Sequence, residues 1–216
     1  MRWKAVIFDR DGTLFDSLGM ILRAFNYGIE PYTEYRPTDA EWFAAFGPAE
    51  PAVLATFVGE QHKNAAYDRF YTYYRGHFHE IPLFPGIRET LQRLHDAGVE
   101  MAIFTGGGYE STIFCLREQK ILSFFHELVT GDRVQNPKPH PEGVLRAMNA
   151  LHARPDETLV VGDAAADVLA GRNAGACTAL ARWSPHSLQQ ELPCRPDYVV
   201  HDVAELQQLL FEEPKP

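Results

Sequence analysis

Asp9 and Asp11 stand two residues apart, directly after the apolar run Ala5-Val-Ile-Phe8 and ahead of Gly12-Thr13. An all-apolar run of that length reads as a strand buried on both faces, and in open α/β sheets ligands bind beyond the C-terminal ends of such strands. Two carboxylates at that spacing on extended backbone share one side of it, close enough to hold one cation. The pair also suits chemistry in which one carboxylate attacks and the other manages a proton. The plain alternative is an acidic turn, since Asp and Gly both favour turns.

Three further apolar runs end in polar residues. Thr105-Gly-Gly-Gly108 follows Ala102-Ile-Phe104 and precedes a helix, which either offers a hydroxyl and backbone N–H groups to a phosphate or simply turns the chain. Lys138 stands between Pro137 and Pro139, in a loop stiff enough to aim its ammonium; a solvated loop lysine is the other reading. A fixed cation there would neutralise charge developing on a nucleophile and a phosphate. Gly162-Asp163 ends the run Leu159-Val-Val, and Asp167 follows one helical turn later. Helix capping accounts for one acid at that place; a third carboxylate near Asp9 and Asp11 would complete a hard oxygen site for magnesium.

The elements that position these residues alternate in type. Helix Ile87–Ala97 precedes strand Val99–Phe104, helix Tyr109–Gln119 precedes strand Glu127–Thr130, and helix Pro141–Leu151 precedes strand Thr158–Val161. Helix Ala165–Ala174 then precedes strand Ala176–Leu180, and strand Tyr198–Val200 with helix Val203–Leu210 closes the chain. This rhythm predicts an α/β fold, a Rossmann-like parallel sheet with helices on both faces. Residues 17–82 differ: Leu18–Ile29, a capping-box start at Thr38–Glu41, Ala49–Val58 and the aromatic-rich Lys63–Phe78 all read as helices, with no strand run. They are expected to form an inserted all-α subdomain, leaving 1–16 and 83–216 as the core. The aromatic crowd within Lys63–Phe78 reads as packing of a small bundle.

Bulk properties narrow the function. A chain of 216 residues can bury one α/β core with length to spare for an insert. A net charge of −9 argues against nucleic-acid binding, because phosphate backbones reward basic faces. No apolar run is long enough to span a bilayer and no secretory leader pattern precedes the first strand, so the expected location is the cytoplasm. Cys115, Cys177 and Cys194 lack metal-ligand spacing and read as reduced thiols, the first two in the core.

Four strand ends that supply Asp9/Asp11, Thr105, Lys138 and Asp163/Asp167 in that order make the chain resemble the haloacid dehalogenase superfamily of aspartate-nucleophile phosphatases, over nearly its full length. The helical insert is similar to the cap of that superfamily's phosphoglycolate-phosphatase-like branch. The resemblance implies a Mg2+-dependent phosphatase acting on a small phosphorylated metabolite, phosphoglycolate-like or a sugar phosphate, as a monomer or homodimer. It implies that Asp9 is the nucleophile and Asp11 the general acid and base. Mg2+ would be held by the Asp9 carboxylate, the Asp11 backbone carbonyl and Asp163, with Asp167 orienting metal-bound water or Lys138. Thr105, Gly106 and Gly107 would hold phosphate oxygens, and Lys138 would screen nucleophile and substrate. The cap would close over the site and read the leaving group.

The chain departs from the pattern at three places. Arg10 replaces a usually apolar residue between the aspartates; on extended backbone its side chain should point away from theirs, either into an ion pair under the cap or toward an anionic substrate group. Gly106 stands where many relatives carry Asn or Ser, and Ala164 where Ser or Thr is frequent. Other functions remain as alternatives: a phosphosugar mutase sharing the aspartyl-phosphate, or a catalytically silent binding protein on the same fold. A dehalogenase fits the Asp11-Gly12-Thr13 segment poorly, and a phosphonate hydrolase would need a cap lysine, for which Lys63 is the main candidate.

Overall fold

The unbroken apolar run of the first strand already dictates a sheet buried on both faces. In the computed structural model, which describes residues 2–185, 187 and 194–212, Val6 and Phe8 of β1 (Ala5–Phe8) enter one core and Ala5 and Ile7 enter the other. All four side chains are fully buried. The remaining strands are β2 (Glu100–Phe104), β3 (Glu127–Val129), β4 (Thr158–Gly162), β5 (Cys177–Ala181) and β6 (Tyr198–Val200). They pair in parallel in the order β3-β2-β1-β4-β5-β6. The order reverses between β1 and β4, and the crevice beyond that switch point is where such sheets bind ligands.

Helices α5 (Ile87–Asp96), α6 (Tyr109–Glu118), α7 (Glu142–Ala150) and α8 (Ala165–Asn173) lie between strands, α9 (Val203–Phe211) follows the last one, and together they cover the sheet. Between β1 and α5 lie α1 (Leu18–Ile29), α2 (Asp39–Ala45), α3 (Glu50–Val58) and α4 (Lys63–Gly76). The order matches the sequence reading. One local difference is that α4 ends at Gly76 and a short 3-10 turn, Phe78–Glu80, carries the chain on.

Local chemistry explains the insert. Thr38 accepts from the Glu41 N–H while Glu41 accepts from the Thr38 N–H, so α2 begins with a reciprocal capping box. Its buried Trp42 stacks on Phe25 of α1 at 4.9 Å, and Phe25 meets Phe70 of α4 at 4.6 Å. Each such aromatic side chain contributes roughly 1.5–3 kcal/mol by leaving water. This aromatic interior is continuous with the core on the Val6 and Phe8 face of the sheet. Chain exit and return lie side by side: Phe15 forms an antiparallel bridge with Leu83, and the Asp16 N–H donates to the Pro82 carbonyl at 3.0 Å.

No helix among the described residues is long and apolar enough to cross a membrane. Cys115 is a buried thiol whose pKa burial pushes up to about 12, which suits a packing residue.

Candidate active site

Each candidate residue leaves the C-terminal edge of the sheet. Asp9 extends β1, its N–H donating to the Val161 carbonyl at 2.8 Å, and Asp163 follows β4, the strand beside it. Thr105 follows β2, and Lys138 lies in the loop between β3 and α7. Asp167 sits in the first turn of α8, where its Oδ2 accepts from the Ala164 N–H at 3.0 Å. Past Asp9 the backbone turns sharply, with Leu14 and Phe15 both donating to the Arg10 carbonyl. Gly12 makes that turn possible at φ +81°, and a Cβ there would stand 2.2 Å from Asp163 Oδ2. Only glycine brings the two strand ends so close.

Asp9, Asp163 and Asp167 place carboxylate oxygens within 4.8 Å of one another. Lys138 Nζ donates to Asp9 Oδ1 at 2.7 Å and to Asp167 Oδ1 at 2.5 Å, with its side chain only 7 % exposed. The sequence alternative of a solvated loop lysine is therefore excluded. Burial pushes the Asp9 carboxyl up to about 7 against the opposing pull of Lys138. Burial, reinforced by the charges of Asp9 and Asp167, lifts Asp163 well above the carboxylate range. For Lys138 burial favours the neutral amine, but the charges of Asp167 and Asp9 outweigh it and hold the pKa above the usual lysine value. Three buried carboxylates facing one ammonium are short of positive charge, and their donors are hard oxygens. The cluster fits a divalent cation of the magnesium or calcium type.

Asp11 lies outside this trio. Its Oδ1 accepts from the Ser17 hydroxyl at 2.6 Å and its Oδ2 from Arg10 Nε at 2.7 Å and Nη2 at 2.5 Å. Because the backbone bends at Arg10, the expectation that this side chain points away from its neighbours does not hold. Arg10 folds back onto Asp11 and is 2 % exposed. Its Nη1 donates to Ser111 and Thr112, and Glu50 Oε1 lies 3.9 Å from Nη2. Burial would weaken its charge, yet the Asp11 carboxylate raises its pKa well above the usual value. The ion pair expected for Arg10 is present, with Asp11 as the near partner and the insert's Glu50 as the far one.

The glycine segment after β2 is less open than the sequence implied. Gly107 donates to Thr105 Oγ1 at 3.1 Å, Gly108 to Glu50 Oε2 at 2.7 Å, and Tyr109 to Asp132 Oδ1 at 3.1 Å. Carboxylates thus cap α6 at Gly108 and Tyr109, while Thr105, Gly106 and Gly107, the residues expected to hold phosphate, line the cavity nearby. Gly106 is explained by approach of the insert: a Cβ there would lie 2.8 Å from the Gly47 carbonyl oxygen. Above the carboxylates lies a cavity of about 290 Å3, shared between the strand ends and the insert.

Glu50, Ser184 and Asp132 were not singled out from the sequence. Buried Glu50 accepts from Ser111 and Gly108 across the two parts of the molecule, and Ser184 donates to Asp163 Oδ2 at 2.9 Å. Glu50-Pro51 reads locally as an ordinary acidic helix start, and nothing in its neighbourhood signals a partner 58 residues away.

The model of the haloacid dehalogenase-like hydrolase family matches residues 6–181. A pyrophosphatase PpaX of Anoxybacillus flavithermus is 30% identical over 215 residues, covering 97% of this chain and 98% of its own. One from Bacillus velezensis is 31% identical over 212 residues, with 95% of each covered. Among solved structures, a predicted phosphoglycolate phosphatase from Haemophilus somnus superposes with a TM-score of 0.82 at 20% identity, covering 97% of this chain and 99% of that one. CbbY from Rhodobacter sphaeroides, in complex with phosphate, gives 0.80 at 21% identity, covering 94% and 96%.

Proposed function

The chain belongs to the haloacid dehalogenase-like hydrolases and is a phosphatase of that family, and on that premise we propose that it cleaves a small phosphomonoester through an aspartyl-phosphate on Asp9. Residues 17–82 act as the cap, and residues 1–16 with 83–216 as the catalytic core. One arrangement supports the reading above all: Lys138 bridges Asp9 and Asp167 beside Asp163, at the switch point of the sheet.

The Asp9 carboxylate attacks phosphorus in line, and the bond to the leaving oxygen breaks. Asp11, entering this step protonated, gives that oxygen its proton and becomes the carboxylate that Ser17 and Arg10 hold. As a carboxylate, Asp11 then takes a proton from the water that attacks phosphorus, the Asp9 O–P bond breaks, and inorganic phosphate leaves. Lys138 keeps Asp9 aimed and offsets the charge that accumulates near it. Thr105, Gly106 and Gly107 position the phosphoryl oxygens. Asp167 orients Lys138, and Ser17 and Arg10 hold the Asp11 carboxylate from both sides. The carboxylates of Asp9 and Asp163 with the Asp11 carbonyl would hold Mg2+, which when bound would polarise the phosphoryl oxygens and offset the charge of nucleophile and phosphate.

The test is inorganic phosphate release from a panel of phosphomonoesters, with and without Mg2+, in wild type and Asp9→Asn. The expected outcome is Mg2+-dependent release that falls about 10⁴-fold or more in the variant. Undiminished release by Asp9→Asn would remove Asp9 as nucleophile.

A further inference from the structure

The cavity above Asp9 has two unlike walls. Its floor is built of carboxylates, Thr105 and Lys138, whereas the cap lines the roof with Leu18, Ile21, Phe25, Phe43, Phe46 and Phe70. A group attached to the phosphoryl oxygen that stays within the cavity meets this roof. The cations among the described residues lining the cavity are Arg10 and Lys138, and both are engaged. Lys138 holds Asp9 and Asp167; Arg10 spends Nε and Nη2 on Asp11 and Nη1 on Ser111 and Thr112. The cap's own charged residue at the cavity is acidic, Glu50, and Tyr74 is 1 % exposed with its hydroxyl turned to Cys115.

A second anionic group, such as a carboxylate or another phosphate, would be buried there without a counter-charge and beside Glu50. That is costly, as are several hydroxyls left without partners. Resting on the phosphatase reading above, we infer that the substrate is a phosphomonoester whose alcohol is apolar and uncharged, an alkyl or aryl phosphate rather than a phosphoglycolate-like or sugar phosphate. Size limits it as well. An apolar cavity of about 150 Å3 admits benzene, so about 290 Å3 holds a phosphoryl group with one ring or a chain of roughly four to six carbons. When the P–O bond breaks, its electron pair stays on the leaving oxygen and Asp11 protonates it. The product is a neutral alcohol that the aromatic roof accommodates.

Esters of similar leaving-group basicity give a clean test, because intrinsic reactivity then cancels. Phosphate release would be followed for methyl, ethyl, propyl and butyl phosphate, with glycerol 3-phosphate and phosphoglycolate as polar competitors. Wild-type kcat/KM is expected to rise about fourfold per CH2 up to butyl. Butyl phosphate is expected to exceed glycerol 3-phosphate by about 10²-fold. Phe43→Ser, at a half-buried position, should shrink the increment per CH2. A flat alkyl series, or preference for any polar competitor, overturns the apolar assignment while leaving the phosphatase reading intact.

Calorimetric binding to Asp9→Asn in the presence of Mg2+ separates the two readings if nothing turns over. Tighter binding of butyl phosphate than of glycerol 3-phosphate supports the apolar roof even when hydrolysis fails. Equal or weaker binding overturns it.

Discussion

The strand-end floor and the helical roof of one cavity are built on opposite principles. On the floor every named charge has a specific partner: Lys138 joins Asp9 to Asp167, and Ser184 donates to Asp163. On the roof the contacts are mainly between rings, Phe25 with Trp42, Phe46 and Phe70, with one hydrogen bond from Trp42 Nε1 to Asn26 Oδ1 at 3.3 Å. A directional, buried ionic network tolerates no substitution, since removing one member strands the others. Apolar packing tolerates exchange at similar volume. On the reading proposed above, the floor carries the reaction and the roof selects among esters.

The sharpest way to break that contrast is at Lys138. Lys138→Met should lower kcat by about 10²–10³-fold on every ester, leaving the ranking of esters unchanged. Steady-state kinetics across the alkyl series would check it; a changed ranking would mean that the floor also selects.

Glu50 tests the seam between the two regions. It is a residue of the helical insert that accepts from Gly108 and Ser111, so Glu50→Ala removes two bonds to a carboxylate. A loss of about 1.5–3 kcal/mol in urea unfolding is expected. An unchanged midpoint would show that the helical insert docks through its apolar contacts alone.

The smallest effect is a pH dependence confined to the floor. The Asp9 carboxyl rises from the ordinary 3.8 to about 7 on folding. A group raised in the folded state stabilises fully below its unfolded value, and that contribution is lost as pH rises through the folded one. Metal-free protein should therefore lose Tm between pH 5 and pH 8, and Asp9→Asn should lose less. Added Mg2+ should restore more Tm at pH 8 than at pH 5, because the ligands must be deprotonated. Equal losses in wild type and variant would refute the assignment.

The legibility of the site divides along the same line. Asp9, Thr105, Asp163 and Asp167 were readable because each follows an apolar run or sits at a helix start, and Lys138 because a proline flanks it on each side. Arg10 was misdirected because the alternation rule assumes extended backbone, and the chain turns after Asp9 instead. Glu50, Asp132 and Ser184 gave no signal, since their partners lie 58, 23 and 21 residues away and a carboxylate or hydroxyl looks the same in any loop. Gly106 stood where many relatives carry Asn or Ser, and proved to be a point of close approach to Gly47.

By itself the sequence determined the α/β sheet, the helical insert and the charges of the floor, because hydrophobic periodicity and strand-end position are local properties of the chain. Only the tertiary structure decided where Arg10 points, that Asp11 stands apart from the three clustered carboxylates, and that the space above Asp9 is walled by aromatic rings. Those outcomes depend on which side chains meet across long separations, where distance and burial, rather than residue type, set the energy.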